Sequence, residues 1–170
     1  VGTGDDRPRL EQLARSLGVG GRVVFLGTLS DEAIRDEYLA IAHRGKPWHE
    51  AGLHNGRWDT VGLYQFGKWL PQAQACPVTT RCLQAVPGLF LAGFSVLKAG
   101  CRIHPHRGYT TEVLRSHLGL VCPQPSWIEV AGERYHWAPG QGVVFDDTQE
   151  HSAANESGEP RVVLIVDFFR

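Results

Sequence analysis

Short apolar runs, several of them alternating with polar positions, recur through residues 89–169. Alternation with a period of two is the spacing of half-buried strands. Residues 89–97, 112–122, 127–130, 134–137, 142–146 and 161–169 each predict a strand, the first of them a strand or strand pair. Turn chemistry separates them at Pro123-Gln124-Pro125, Ala131-Gly132 and Pro139-Gly140. Several short strands at this spacing predict a mainly β fold, a sandwich or jelly roll.

The beginning of the chain has another rhythm. Residues 9–17 carry helical apolar spacing and stop at Gly18, and residues 22–27 read as a short buried strand. A second helix begins at Ser30-Asp31-Glu32, with Ser30 as N-cap and acidic residues in its first turn. Beyond this the composition turns rich in Trp, His, Gly and Pro. The change predicts a short N-terminal α/β segment, residues 1–45, ahead of a β domain over residues 46–170.

Charge and composition narrow the function. A formal net charge of -1 and a pI near 6.8 give no electrostatic case for nucleic acid or a membrane surface. No apolar run approaches the roughly 18 residues of a spanning helix, and no signal segment opens the chain. Cys76, Cys82, Cys101 and Cys122 fit no CxxC spacing, which predicts reduced thiols in a cytoplasmic protein rather than a zinc ribbon or a disulfide framework. The absence of Met and the start at Val1 read as a fragment, a processed chain or an unusual start.

A few residues bear chemistry. His104 and His106 form a His-x-His beside a turn, and His151 ends the strand-like run 145–150. Neutral imidazoles so placed suit iron, zinc, nickel or copper. A facial triad takes two His and one carboxylate, and the carboxylate position after His106 is Gly108. Within 114–120, period two puts Arg115, His117 and Gly119 on one face and the leucines on the other. Arg161 opens a strand that is apolar on both faces, so its guanidinium enters an interior and requires an anion. An ion pair with Asp146 or Asp147 would serve, and so would a bound dicarboxylate. Asp146 and Asp147 point to opposite faces, so at most one looks into a site, in a supporting or turn role. His43, His49 and His54 read as loop residues that can rim an entrance, and Cys101 and Cys122 as small core residues.

The stretches RWDTVGLYQFG, FSVLKAGCRIHPHRGYT, LRSHLGLVCP, WAPGQGVVFDDTQEH and RVVLIVDFFR stand in order through the chain. Together they resemble the aspartyl/asparaginyl β-hydroxylase family, a double-stranded β-helix (jelly-roll) group of iron and 2-oxoglutarate dioxygenases. The resemblance implies that His106 and His151 ligate Fe(II) and that Arg161 pairs with a 2-oxoglutarate carboxylate, helped by the Ser95 hydroxyl. It also puts Arg115 and His117 on cosubstrate-contacting positions and Trp58 on an aromatic position near the same pocket. His-x-Gly is the family's own variant, with water where the carboxylate would be. The implied reaction consumes O2 and 2-oxoglutarate, releases succinate and CO2, and hydroxylates an unactivated C–H bond.

The implied substrate is a small molecule, a peptide or a lipid. Protein-hydroxylating members carry an arginine where this chain has Val113, and the HRGYT and VLRSHLGL wording is similar to bacterial members, including lipid A hydroxylases. The first forty residues resemble part of a GT-B glycosyltransferase, which reads as an α/β remnant. Three other readings stay open: a metal-binding cupin using His151 and Asn155, a halogenase, and an inactive jelly-roll fragment that binds a ligand.

Overall fold

Two antiparallel sheets face each other in the computed structural model of the protein, which describes residues 31–170. The helix read over 9–17, the strand over 22–27 and the Ser30 cap lie outside the described residues. Helix α1 spans Asp31–Ile41, then come β1 (Lys46–Pro47), β2 (Trp58–Gln65), β3 (Lys68–Trp69) and helix α2 (Pro77–Gln84). The rest is strand: β4 (Leu89–Leu97), β5 (Cys101–His106), β6 (Val113–Val121), β7 (Ser126–Val130) and β8 (Glu133–His136). β9 (Gly142–Phe145), β10 (His151–Asn155) and β11 (Arg161–Phe169) complete it. The larger sheet runs β1-β2-β4-β11-β6-β9 with β3 on β2, and the smaller runs β5-β10-β7-β8. This is the mainly β jelly roll expected of the chain. Among the described residues no helix is long and apolar enough to cross a membrane.

The larger sheet is covered on both faces, and alternation along β11 shows why. Val162 and Leu164 point into a cluster with Val61, Phe94 and Leu120, which the helices cover. α1 presents Ile34, Tyr38 and Ile41 at helical spacing to that cluster, and the Tyr38 ring meets Phe94 at 5.2 Å. Its Glu37 carboxylate accepts the backbone N–H groups of Val78 and Thr79 at 2.7 and 2.9 Å, satisfying two free donors at the start of α2. On the other face Val163 joins Trp58, Leu97, Ile103, Ile128, Trp137 and Phe145 between the two sheets. The candidate chemistry lies in this second layer.

One segment departs from the sequence reading. Residues 146–150 form a turn, not the tail of a strand. Asp146 Oδ1 accepts from the Thr148 N–H at 3.0 Å and from its hydroxyl at 2.6 Å, so the side chain closes an Asx turn. His151 therefore begins a strand, β10, instead of ending one.

Candidate active site

His151 and His106 are direct partners across β10 and β5. The next pair is Ala153 with Ile103, so β5 carries one extra residue where β10 has none. Strict alternation would send His106 outward with Arg102 and His104, because Cys101 and Ile103 point inward. The bulge at His104-Pro105 turns His106 back toward the interior, and Pro105 has no N–H for the ladder to lose. The His-x-His reading is corrected accordingly: His104 is exposed, and its contribution is a carbonyl 2.8 Å from His106 Nδ1. His151 Nδ1 meets the Gln149 carbonyl at 2.9 Å in the same way. Each Nδ1–H is thus the donor, which leaves each Nε2 with a free lone pair. The ring centroids lie 4.2 Å apart. Burial lowers His151 to about 4, so it is neutral and fit for a metal at neutral pH. Among the described residues no third His, Cys, Asp or Glu completes a metal cluster with them.

Gly108 is fixed by Asp147. Its N–H donates to the Asp147 carbonyl at 2.7 Å. A Cβ at position 108 would overlap the Asp147 carboxylate, with Oδ1 only 2.6 Å away. A side chain there, the usual triad carboxylate included, is excluded unless Asp147 moves. Asp147 is itself buried, with Oδ2 3.4 Å from Arg115 Nη1, and desolvation raises its pKa. Asp146 points elsewhere and pairs with Arg170. Of the two, Asp147 stands nearer the site and meets Arg115, and Asp146 closes a turn.

Arg161 is 1% exposed and has no carboxylate partner among the described residues. Neither aspartate weighed for it is the partner, since Asp147 lies by Arg115 and Asp146 by Arg170. Its guanidinium lies over the Trp137 ring at 4.3 Å and donates through Nη1 to the Ser95 carbonyl at a long 3.5 Å. Desolvation pulls it down to about 9. Cys101 and Cys122 are near, but burial pushes both thiols up to about 11, so at neutral pH neither supplies a counter-charge. An enclosed cation of this kind is costly until an anion joins it.

The neighbours are also short of partners. Both ring nitrogens of buried His117 and Nε1 of Trp137 have no hydrogen-bond partner among the described residues. Desolvation holds His117 well below its ordinary value, helped by the charge of Arg161. Ser95 Oγ accepts from Trp58 Nε1 at 3.0 Å and keeps its own proton to donate. These atoms surround one small cavity lined by Trp58, Ser95, His106, His117, His151 and Arg161. Donors without acceptors around a buried cation fit a compact molecule rich in carboxylate oxygens, and the two free Nε2 atoms fit a metal beside it.

All seven residues that the resemblance assigned to the site line this cavity, Arg115 included. Arg115, however, is already engaged: its Nε and Nη2 reach Asp167 at 2.8 and 2.7 Å. Trp137, Phe145 and Asp167 went unassigned in the sequence, although all stand inside the quoted stretches. A buried tryptophan beside Pro139 and Gly140 was the available signal for Trp137. His54 is buried and braces a loop, its Nδ1 accepting from Gly56 N–H at 3.0 Å, while His43 and His49 are exposed. Asn155, weighed as a cupin ligand, instead donates to the carbonyls of Leu97 and Glu159, both at 2.7 Å, and ties down the turn before Arg161.

Known proteins resemble the chain in sequence and in fold. Over 118 residues the chain is 42% identical to the ornithine lipid ester-linked acyl 2-hydroxylase of Rhizobium tropici, covering 67% of this chain and 42% of that protein. Over 145 residues it is 32% identical to human aspartyl/asparaginyl beta-hydroxylase, covering 79% of this chain and 19% of that one. The chain thus spans less than half the length of either relative. In fold it is similar to a predicted oxalate decarboxylase from Thermotoga maritima, with a TM-score of 0.52 and 12% identity over 74% of this chain and 92% of that one. That likeness concerns the jelly roll alone. The family model for aspartyl/asparaginyl beta-hydroxylase matches residues 29–170, through both sheets and every residue of the cavity, and the chain belongs to that family.

Proposed function

We propose that the protein is an iron(II)- and 2-oxoglutarate-dependent hydroxylase. The observation that carries this reading is Arg161, a buried guanidinium without a counter-ion among the described residues, in the same small cavity as two histidines with free Nε2 atoms. His106 and His151 would hold the metal through Nε2. Arg161 would take the far carboxylate of 2-oxoglutarate, with the Ser95 hydroxyl donating to the same group. His117, neutral and buried, donates one N–H toward the cosubstrate.

Bound iron supplies the oxidative chemistry: dioxygen and 2-oxoglutarate are consumed, one oxygen atom enters a substrate C–H bond, and succinate and CO2 leave. The chain's residues orient and shield. Trp58 fixes the Ser95 rotamer, the Trp137 face supports the guanidinium, and Ile128, Phe145 and Val163 keep water out. A side chain on residue 108 would collide with the Asp147 carboxylate, so the two histidines would hold the metal without a third protein group from that position.

The test is anaerobic. Protein loaded with iron(II) should give a visible metal-to-ligand charge-transfer band when 2-oxoglutarate is added. Folded, iron-loaded protein that gives no band would overturn the reading.

A further inference from the structure

Aromatic rings crowd the end of the larger sheet that lies away from the cavity. Arg161 opens β11 and Phe169 closes it. At the Phe169 end β2 finishes with Gln65 opposite Leu91, and β4 begins with Leu89 opposite Phe168. Phe66, Phe90 and Phe169 meet there in a row, with successive ring centroids 5.0 and 5.4 Å apart. Trp69 stands on the adjoining β3, 4.9 Å from Tyr64. Phe66 is 62%, Phe169 46% and Trp69 39% exposed, so this apolar surface faces outward.

Phe66 is placed there against local turn chemistry. Gln65 pairs with Lys68, so Phe66-Gly67 is a two-residue hairpin loop, and its φ values of 47° and 83° are those of a type I′ turn. Asn, Asp or Gly suits the first of these positions, and a bulky side chain there is strained. Backbone bonds hold the arrangement: the Phe66 N–H donates to the Phe90 carbonyl at 3.1 Å, and the Phe169 N–H to the Gly88 carbonyl at 2.9 Å. A ring that lies mostly in water gains little from packing, so packing within the protein does not offset that strain. Strain of this kind points to a use outside the fold.

Charge completes the surface. Residues 60–111 contain no Asp or Glu, so the net charge of -1 averages over an uneven distribution. The expectation that charge gives no case for a membrane surface holds for the whole chain and fails for this end. Lys68 follows the hairpin tip, and a shallow depression beside it is lined by His43, Arg44, Lys46, Leu70 and Pro71. On the edge of β2, Lys46 lies opposite Thr60 and Trp69 opposite Tyr64, which separates them by about 13 Å. Arg44, Lys46 and Lys68 are exposed and have no carboxylate partner among the described residues. Asp59, just before the acid-free run, pairs with Lys98 at 2.6 Å, and Glu37, which reaches into it, accepts from Val78 and Thr79.

An aromatic hairpin tip beside unpaired cations matches a fluid layer that admits rings and carries negative charge on its face. A nucleic acid would use the cations, but the rings meet edge to face, at 71° and 63°, and form no parallel platform for bases. We propose that this end of the protein docks on an anionic lipid bilayer. Phe66, Trp69 and Phe169 enter the interface, and Arg44, Lys46 and Lys68 meet lipid phosphates. Docking of this kind is independent of the chemistry in the cavity.

The test is cosedimentation of the full chain with two kinds of vesicle, one of phosphatidylcholine alone and one of phosphatidylcholine and phosphatidylglycerol in equal parts. The anionic vesicles should bind it more tightly, and added salt should weaken that binding. Phe66→Asn is the decisive variant. Asparagine suits the type I′ turn and should leave the fold at least as stable, while vesicle binding falls on the order of 10-fold. Arg44→Gln together with Lys46→Gln should lose on the order of 20-fold on anionic vesicles. Lipid brominated in its acyl chains should quench tryptophan fluorescence, and Trp69→Phe should remove most of that quenching. No binding to the anionic vesicles, or equal binding by wild type and folded Phe66→Asn, would overturn the proposal. A dimer formed without vesicles and split by Phe66→Asn would overturn it too, by assigning the tip to a second copy of the chain.

Discussion

His106 and His151 face each other across a bulged strand pair, and each gives its Nδ1 to the carbonyl two residues before it. Two separate backbone devices thus leave both Nε2 atoms free on rings whose centroids lie 4.2 Å apart. Replacing either histidine with alanine should weaken iron(II) binding by a factor on the order of 100 or more, read by metal titration of the folded variants. Unchanged affinity in either would mean that the metal sits elsewhere.

Arg161 makes a prediction with two opposite signs. Its buried charge lacks a counter-ion among the described residues, so Arg161→Met should leave the ligand-free protein at least as stable as wild type. The same change should abolish stabilisation by 2-oxoglutarate, which for wild type should reach about 2.7 kcal/mol at ~100 times the dissociation constant. Thermal melts with and without cosubstrate decide it. A variant that unfolds outright, or that still gains stability from 2-oxoglutarate, would assign Arg161 a structural role instead.

How much of this was legible follows local signals. β11 could be read because an arginine opens a long apolar run, and the same run marked Arg161 as a guanidinium that enters the interior. The face shared by Arg115 and His117 followed from period two alone. β5 could not be read, because Pro105 and the bulge break the alternation that would announce it, and the bulge is what aims His106. β10 is a run of small residues after an Asx turn, so His151 was placed at the wrong end of a strand. The Phe66–Phe90–Phe169 row exists only through the β2–β4 and β4–β11 registers, and no local pattern encodes a pairing between distant strands.

Buried neutral histidines also set an acid limit. Burial lowers His151 to about 4 and holds His117 well below its ordinary value. In the unfolded chain both take up a proton as pH falls through ~6.5. Between that point and about 4 the unfolded state binds more protons, so the metal-free protein loses stability as pH falls. The slope is up to ~1.4 kcal/mol per pH unit for each histidine. His117→Phe should make the slope shallower in urea denaturation followed across this window. A slope equal to wild type would mean that His117 is protonated in the folded protein.

The close approach of Gly108 to Asp147 predicts that restoring the usual triad fails. Gly108→Asp supplies the carboxylate that other iron sites use, yet its Cβ would fall on a carboxylate already held beside Arg115. The substitution must displace Asp147 and disturb the Arg115–Asp167 pair behind it. Overpacking of this kind costs about 1–3 kcal/mol, and iron(II) affinity should fall or stay level rather than rise. Gly108→Ala should carry much of the same cost, since the clash begins at Cβ. Asp147→Gly in the same chain makes room, so the double variant should be more stable than the sum of the single effects by about 1 kcal/mol or more. Urea denaturation of the four proteins gives that coupling. A stable Gly108→Asp variant with tighter iron binding would show instead that Asp147 yields freely, and that the glycine is there for a reason other than space.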